Sequence, residues 1–159
     1  MRTALLDLRT TEERACPAGH AQVLCCHPVR FSGGRPRPFP TLYWLACPEL
    51  DRQLSELERT GWIARIQQRI ARDAALERRI AADHRAYIDE RWRRLSAEER
   101  EAVRDHGLEE TLRRRGIGGI LDFKTVKCLH LHYAHRLAAD NAIGELIERE
   151  GLLRPCGSP

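Results

Sequence analysis

At Cys47-Pro48 the hydrophobic pattern of this chain changes its period, and that change limits the fold more than any other feature. Upstream, short apolar runs alternate with proline and glycine. Residues 21–31 carry Val23, Leu24, Cys25, Cys26, Val29 and Phe31 and read as a strand interrupted at Pro28. Residues 41–46 are short, aromatic and almost wholly apolar, which predicts a strand buried on both faces. Residues 3–8 read as a further strand. Residues 32–40, with Gly33, Gly34, Pro36, Pro38 and Pro40, read as a turn-rich loop.

Downstream the period is helical. Pro48 suits a first helical position, Leu50, Leu54 and Leu57 come after it at helical spacing, and Gly61 closes the helix. Trp62, Ile63, Ile66, Ile70, Ala74, Ile80 and Ile88 predict one long or broken helix to about Leu95. Ser96 and Glu99 form a capping box for a helix ending near His106-Gly107, and a short helix runs on to Arg115. After a flexible Gly116-Ile117-Gly118-Gly119 connection, Asp122 is the expected N-cap of a helix reaching about Ala139. A last helix covers 143–150, and Gly151 onward reads as a frayed tail. The expected fold is α+β, mainly α. It is a single domain over 1–159 with an ordered core of about 10–150, in which a small hairpin or sheet packs on four or five helices. Leu42, Trp44, Leu45, Trp62, Ile66, Leu129 and Tyr133 are the expected core.

Composition narrows the function classes. No stretch approaches the roughly 18 apolar residues of a membrane span. Asp7 interrupts the only apolar run at the N-terminus, which does not read as a signal peptide, so the cytoplasm is expected. Six cysteines in that setting are reduced thiols rather than a disulfide framework. The net charge is a mild +4, and all but two of the 27 basic residues are arginine. They are not interleaved with exposed aromatics, which argues against a nucleic-acid surface.

The densest chemistry lies in Cys128-Leu129-His130-Leu131-His132-Tyr133-Ala134-His135. On a helix, Cys128, His132 and His135 fall within about a 60° arc, and His130 points the other way. Cys16-Pro17 and Cys47-Pro48 hold two more thiols at element boundaries, where proline restricts the cysteine to extended backbone. The metal reading brings Cys16, Cys47 and Cys128 together, with His135 or His132 as the fourth ligand. Zinc is the first candidate and an iron–sulfur cluster the rival. The plain alternative is buried free cysteine, since no CxxC knuckle is present. Cys25 and Cys26 read as packing residues and Cys156 as incidental. His20 and His27 are loop histidines able to supply a ligand, while His84 and His106 read as solvated.

A second function class is an enzyme acting on an anionic or phosphorylated small molecule. Arg113, Arg114 and Arg115 with the Gly118-Gly119 backbone would bind the anion, and His130 would serve as acid/base. The spacing fits neither the P-loop nor the dinucleotide fingerprint. A third class is a helical adaptor whose cysteines are core.

The segments from Cys16 to Gly19, from Pro38 to Pro48, from Gly116 to Gly119 and from Val126 to His135 resemble the bacterial domain-of-unknown-function family 501. The resemblance runs from about Cys16 to Gly144. It implies cysteine at the positions of Cys16, Cys47 and Cys128 and histidine at those of His130 and His135, with His132 less constant. This favours His130 over His132 as Cys128's partner. It implies no reaction.

Overall fold

The computed structural model describes residues 10–157; the strand expected at 3–8 and the N-terminal apolar run lie outside them. Pro28 divides the expected strand in two. β1 (Thr10–Ala15), β2 (Ala21–Cys26) and β5 (Tyr43–Leu45) form an antiparallel sheet in the order β1-β2-β5, with Val23 opposite Leu45 and Cys25 opposite Tyr43. The strand expected over 41–46 is therefore present but reduced to three residues. Leu42 and Tyr43 are buried, whereas Trp44 and Leu45 are only partly covered.

The turn-rich loop expected at 32–40 is instead a hairpin of β3 (Val29–Ser32) and β4 (Arg35–Pro38). Gly33 and Gly34 both take positive φ, 57° and 74°, the geometry that a two-residue hairpin turn requires. Pro36 and Pro38 face Phe31 and Val29, while the Phe39 N–H bonds Pro28 O. Hydrogen-bonded pairs alternate along the ladder, so both prolines fall where no N–H is needed.

Seven α-helices come next among the described residues, more than the four or five expected: α1 (Pro48–Arg59), α2 (Trp62–Arg72), α3 (Ala74–Arg93), α4 (Ala97–Asp105), α5 (Glu109–Arg114), α6 (Leu129–Ala138) and α7 (Ala142–Arg149). The 62–95 segment is broken at Asp73, whose carboxylate accepts from the Ala75 and Leu76 N–H groups and starts α3 as an N-cap. The capping box at Ser96 and Glu99 is present. α6 begins at Leu129, not after Asp122. Asp122 instead closes a turn by accepting from the Lys124 N–H.

α6 is the central element. It packs against β5 and β2 and also against α1 and α7. Leu50 and Leu54 of α1, Ile66 and Ile70 of α2, Ile80 of α3, Leu129 of α6 and Ile143 and Ile147 of α7 form one apolar core. Each fully buried side chain of this kind stabilises by about 1.5–3 kcal/mol. Of the expected core, Leu42, Ile66, Leu129 and Tyr133 are buried and Trp44, Leu45 and Trp62 are half-buried.

One buried ion was not foreseen. Arg91 is fully buried, and its guanidinium donates to the carbonyls of Pro40, Leu112 and Arg115. Burial pulls it down to about 10. The tail also departs from expectation. Gln53 exchanges two hydrogen bonds with the Arg154 backbone, and Cys156 is buried beside Cys16 and Cys47.

Candidate metal centres

Three segments deliver the first centre. Between Cys16 and His20 the chain makes a tight turn, with Gly19 at φ 78°; the Gly19 N–H reaches Cys16 O and the His20 N–H reaches Cys16 Sγ at 3.2 Å. Cys47 occupies the N-cap position of α1 but makes no capping bond, which leaves its sulfur available at the positive end of the helix. Cys156 arrives on the tail, its Sγ 3.5 Å from His20 Nδ1. One donor atom from each of Cys16, His20, Cys47 and Cys156 lies within 4.8 Å of all the others; the thiols are buried and His20 is exposed. Thiolates sharing one zinc at 2.3 Å stand about 3.8 Å apart, so small side-chain rotations close the site. Burial opposes ionisation of Cys16, but the His20 N–H and neighbouring groups outweigh it and hold the thiol below its usual range. Hydrogen bonding with Cys47 and Cys16 pushes Cys156 up to about 12. Thiols this close ionise together only around a cation. A cleft of about 660 Å³ opens beside Cys16 and Cys156, with Arg14, Tyr133, Glu148 and Arg154 on its walls.

The second centre joins Glu58 near the end of α1 to Cys128 and His130 at the start of α6, again with donor atoms within 4.8 Å of one another. His130 Nδ1 stands 3.7 Å from Cys128 Sγ and 3.1 Å from Glu58 Oε1. Its Nε2 lies 3.1 Å from Asp51 O and 3.2 Å from Ser55 Oγ. The bond to Cys128 is the largest influence raising His130, to about 9, against the opposing effect of burial and with the Glu58 charge helping.

The expected trio of Cys16, Cys47 and Cys128 is therefore divided. Cys16 and Cys47 meet each other, and Cys128 belongs to the other group. The helical-face argument that joined Cys128 to His132 and His135 does not apply, because Cys128 precedes the helix with extended backbone (φ −155°, ψ 124°). His132 and His135 instead face the interior. Asn141 Oδ1 accepts from the Gly144 N–H, which turns its amide nitrogen toward Nδ1 of both rings at 3.3 and 3.2 Å. Burial drops His132 to about 3 and His135 to about 4, so both are neutral. His84, expected in solvent, is fully buried beside His132; its Nδ1 accepts from the Ile117 N–H, and burial lowers it to about 4. Gly116 makes room for it, since a Cβ there would come within 2.4 Å of Nδ1.

The anion-binding elements are not assembled with His130. Arg113 and Arg114 line a cleft with Arg85, Asp89, Leu121 and Phe123 that includes neither His130 nor Gly118 and Gly119. The glycine turn presents carbonyls to cations: Arg115 donates to Gly119 O and Lys127 to Gly118 O.

Cys156, expected to be incidental, joins the first centre, as does His20, one of the two loop histidines able to supply a ligand. Cys16-Pro17-Ala18-Gly19-His20, a thiol and an imidazole flanking a turn, was the available signal for His20. Nothing local marked Cys156. Among the described residues no helix is long and apolar enough to cross a membrane. A family model, protein of unknown function (DUF501), matches residues 12–149. No curated protein and no solved structure matches the chain.

Proposed function

We propose that this chain, which belongs to the DUF501 family, is a cytoplasmic metal-binding protein holding zinc at Cys16, His20, Cys47 and Cys156. One observation carries the reading. Four donor atoms from a turn, a helix start and the tail meet within 4.8 Å, although His20 and Cys156 are 136 residues apart. Core packing alone gives no reason for three thiols and an imidazole to gather. Three thiolates and one imidazole around a single point suit tetrahedral zinc. An iron–sulfur cluster spreads its ligands over several irons, which fits this tight group less well. A zinc here would join the β1–β2 turn and α1 to the tail, a structural role with every position filled by protein.

Elemental analysis of anaerobically purified protein tests it. Cys47→Ser and Cys156→Ser should each lower the zinc content by one equivalent per chain. Iron with a visible absorption band would assign a cluster instead. Zinc content unchanged by both variants would sink the assignment.

A further inference from the structure

We infer that Glu58, Cys128 and His130 form a second, separate metal site, open on one side, in which Glu58 Oε1, Cys128 Sγ and His130 Nδ1 bind a zinc ion and water completes the coordination. The inference does not depend on the first centre, with which it shares no ligand. Its starting point is the tautomer of His130. Asp51 O, a backbone carbonyl and so only an acceptor, lies 3.1 Å from Nε2 and draws the ring N–H to that nitrogen. A metal that displaces the Nδ1 proton then meets a lone pair pointing at the carboxylate oxygen and the sulfur. Three electron-pair donors converge on one point. A cation satisfies all three at once, whereas a proton can be shared between only two.

The ring is held as metal-ligating histidines are, through its distal N–H on a backbone carbonyl. The carboxylate is also positioned, because the Leu129 N–H donates to Glu58 Oε1 at 2.6 Å. Thiolate, imidazole and carboxylate are all accepted zinc ligands, and three protein ligands plus water is the arrangement of an exchangeable or reactive site rather than a structural one. The side chains of His130 and Glu58 are 18% and 26% exposed and Cys128 is half-buried, so solvent reaches all three ligands, whereas in the first centre it reaches only His20. Bound water on zinc ionises near neutrality, so the chemical class that fits is a small ligand or substrate able to replace or be attacked by that water.

The test titrates the reduced, metal-stripped full chain with Zn²⁺ against a chromophoric chelator. Two equivalents are expected. Cys128→Ser and His130→Ala should each remove one, and Cys47→Ser the other; the equivalent that remains shows that each variant is folded. Co²⁺ in place of zinc reports the ligands, since the centre left in Cys47→Ser carries one thiolate and should give a weaker sulfur-to-metal band than the centre left in Cys128→Ser. One equivalent removed by Cys47→Ser alone overturns this inference and leaves the first reading standing. One equivalent removed by Cys128→Ser alone does the reverse. Two equivalents that both survive Cys128→Ser, or no binding at all, also overturn it.

Discussion

Cys156 Sγ lies 3.5 Å from His20 Nδ1, so the tail of the chain touches its first turn across 136 residues. A ligand on the tail makes metal binding and folding one equilibrium, because the unfolded chain cannot hold the four donors together. Cys156→Ser should therefore lower the melting temperature of the zinc-loaded protein and leave that of the chelator-treated protein nearly unchanged. Equal losses in both states would mean that Cys156 only fills space.

Arg91 should tolerate no replacement. Removing the guanidinium in Arg91→Ala strands the buried carbonyls of Pro40, Leu112 and Arg115. Each stranded group costs about 1–3 kcal/mol, so a loss of about 3 kcal/mol or more is expected in urea unfolding. Arg91→Lys should recover little, since an ammonium lacks the planar fork that reaches three carbonyls. A loss under about 1 kcal/mol in Arg91→Ala would show that water replaces the bonds.

Gly116→Ala is expected to destabilise through His84 and not through the backbone. Its φ of −78° suits any residue, but the added Cβ would meet His84 Nδ1 at 2.4 Å. The ring must move, breaking the bond from the Ile117 N–H and its stacking on Phe123. About 1–3 kcal/mol should be lost by overpacking. Combining it with His84→Ala should recover part of that loss, and strictly additive effects would argue against contact.

Stability should fall as the solution is acidified from about pH 6.5 toward 4. His84 and His135 are held neutral by burial, each near 4, whereas the unfolded chain takes up protons at about 6.5. Between those values the unfolded state binds more protons, so the contribution of these two histidines is full above about 6.5 and declines as pH drops. Ring carbon shifts in NMR check the cause directly in metal-free protein. A protonation midpoint for His135 near 6.5 in the folded chain would remove the argument.

Much of the helical half was legible because its signals are local. Leu50, Leu54 and Leu57 lie three to four residues apart and are all buried, and the Ser96–Glu99 box caps as written. The Pro28 interruption was equally local. Asp73 and Asp122 went the other way for one reason: a capping residue is recognised by the apolar periodicity that begins just after it. That periodicity ran straight through Asp73, and none began after Asp122. The two glycines at 33–34 read as loop because glycine marks any turn, and only the pairing of Val29 with Pro38 made that turn a hairpin.

For the site, the sequence by itself determined the stock of donors and the turn or helix end on which each stands. Cys47 before Pro48 had to start a helix, and the three histidines after Cys128 had to divide between opposite faces. Which donors meet was decided only by tertiary structure. The tail folds back onto α1 through Gln53 and delivers Cys156. The start of α6 at Leu129 leaves Cys128 in extended backbone and swings it to Glu58 and His130 instead of His132 and His135. Backbone periodicity sets the direction of a side chain within one element. The meeting of side chains from distant segments depends on how those elements dock, and docking is settled by burial of the shared core.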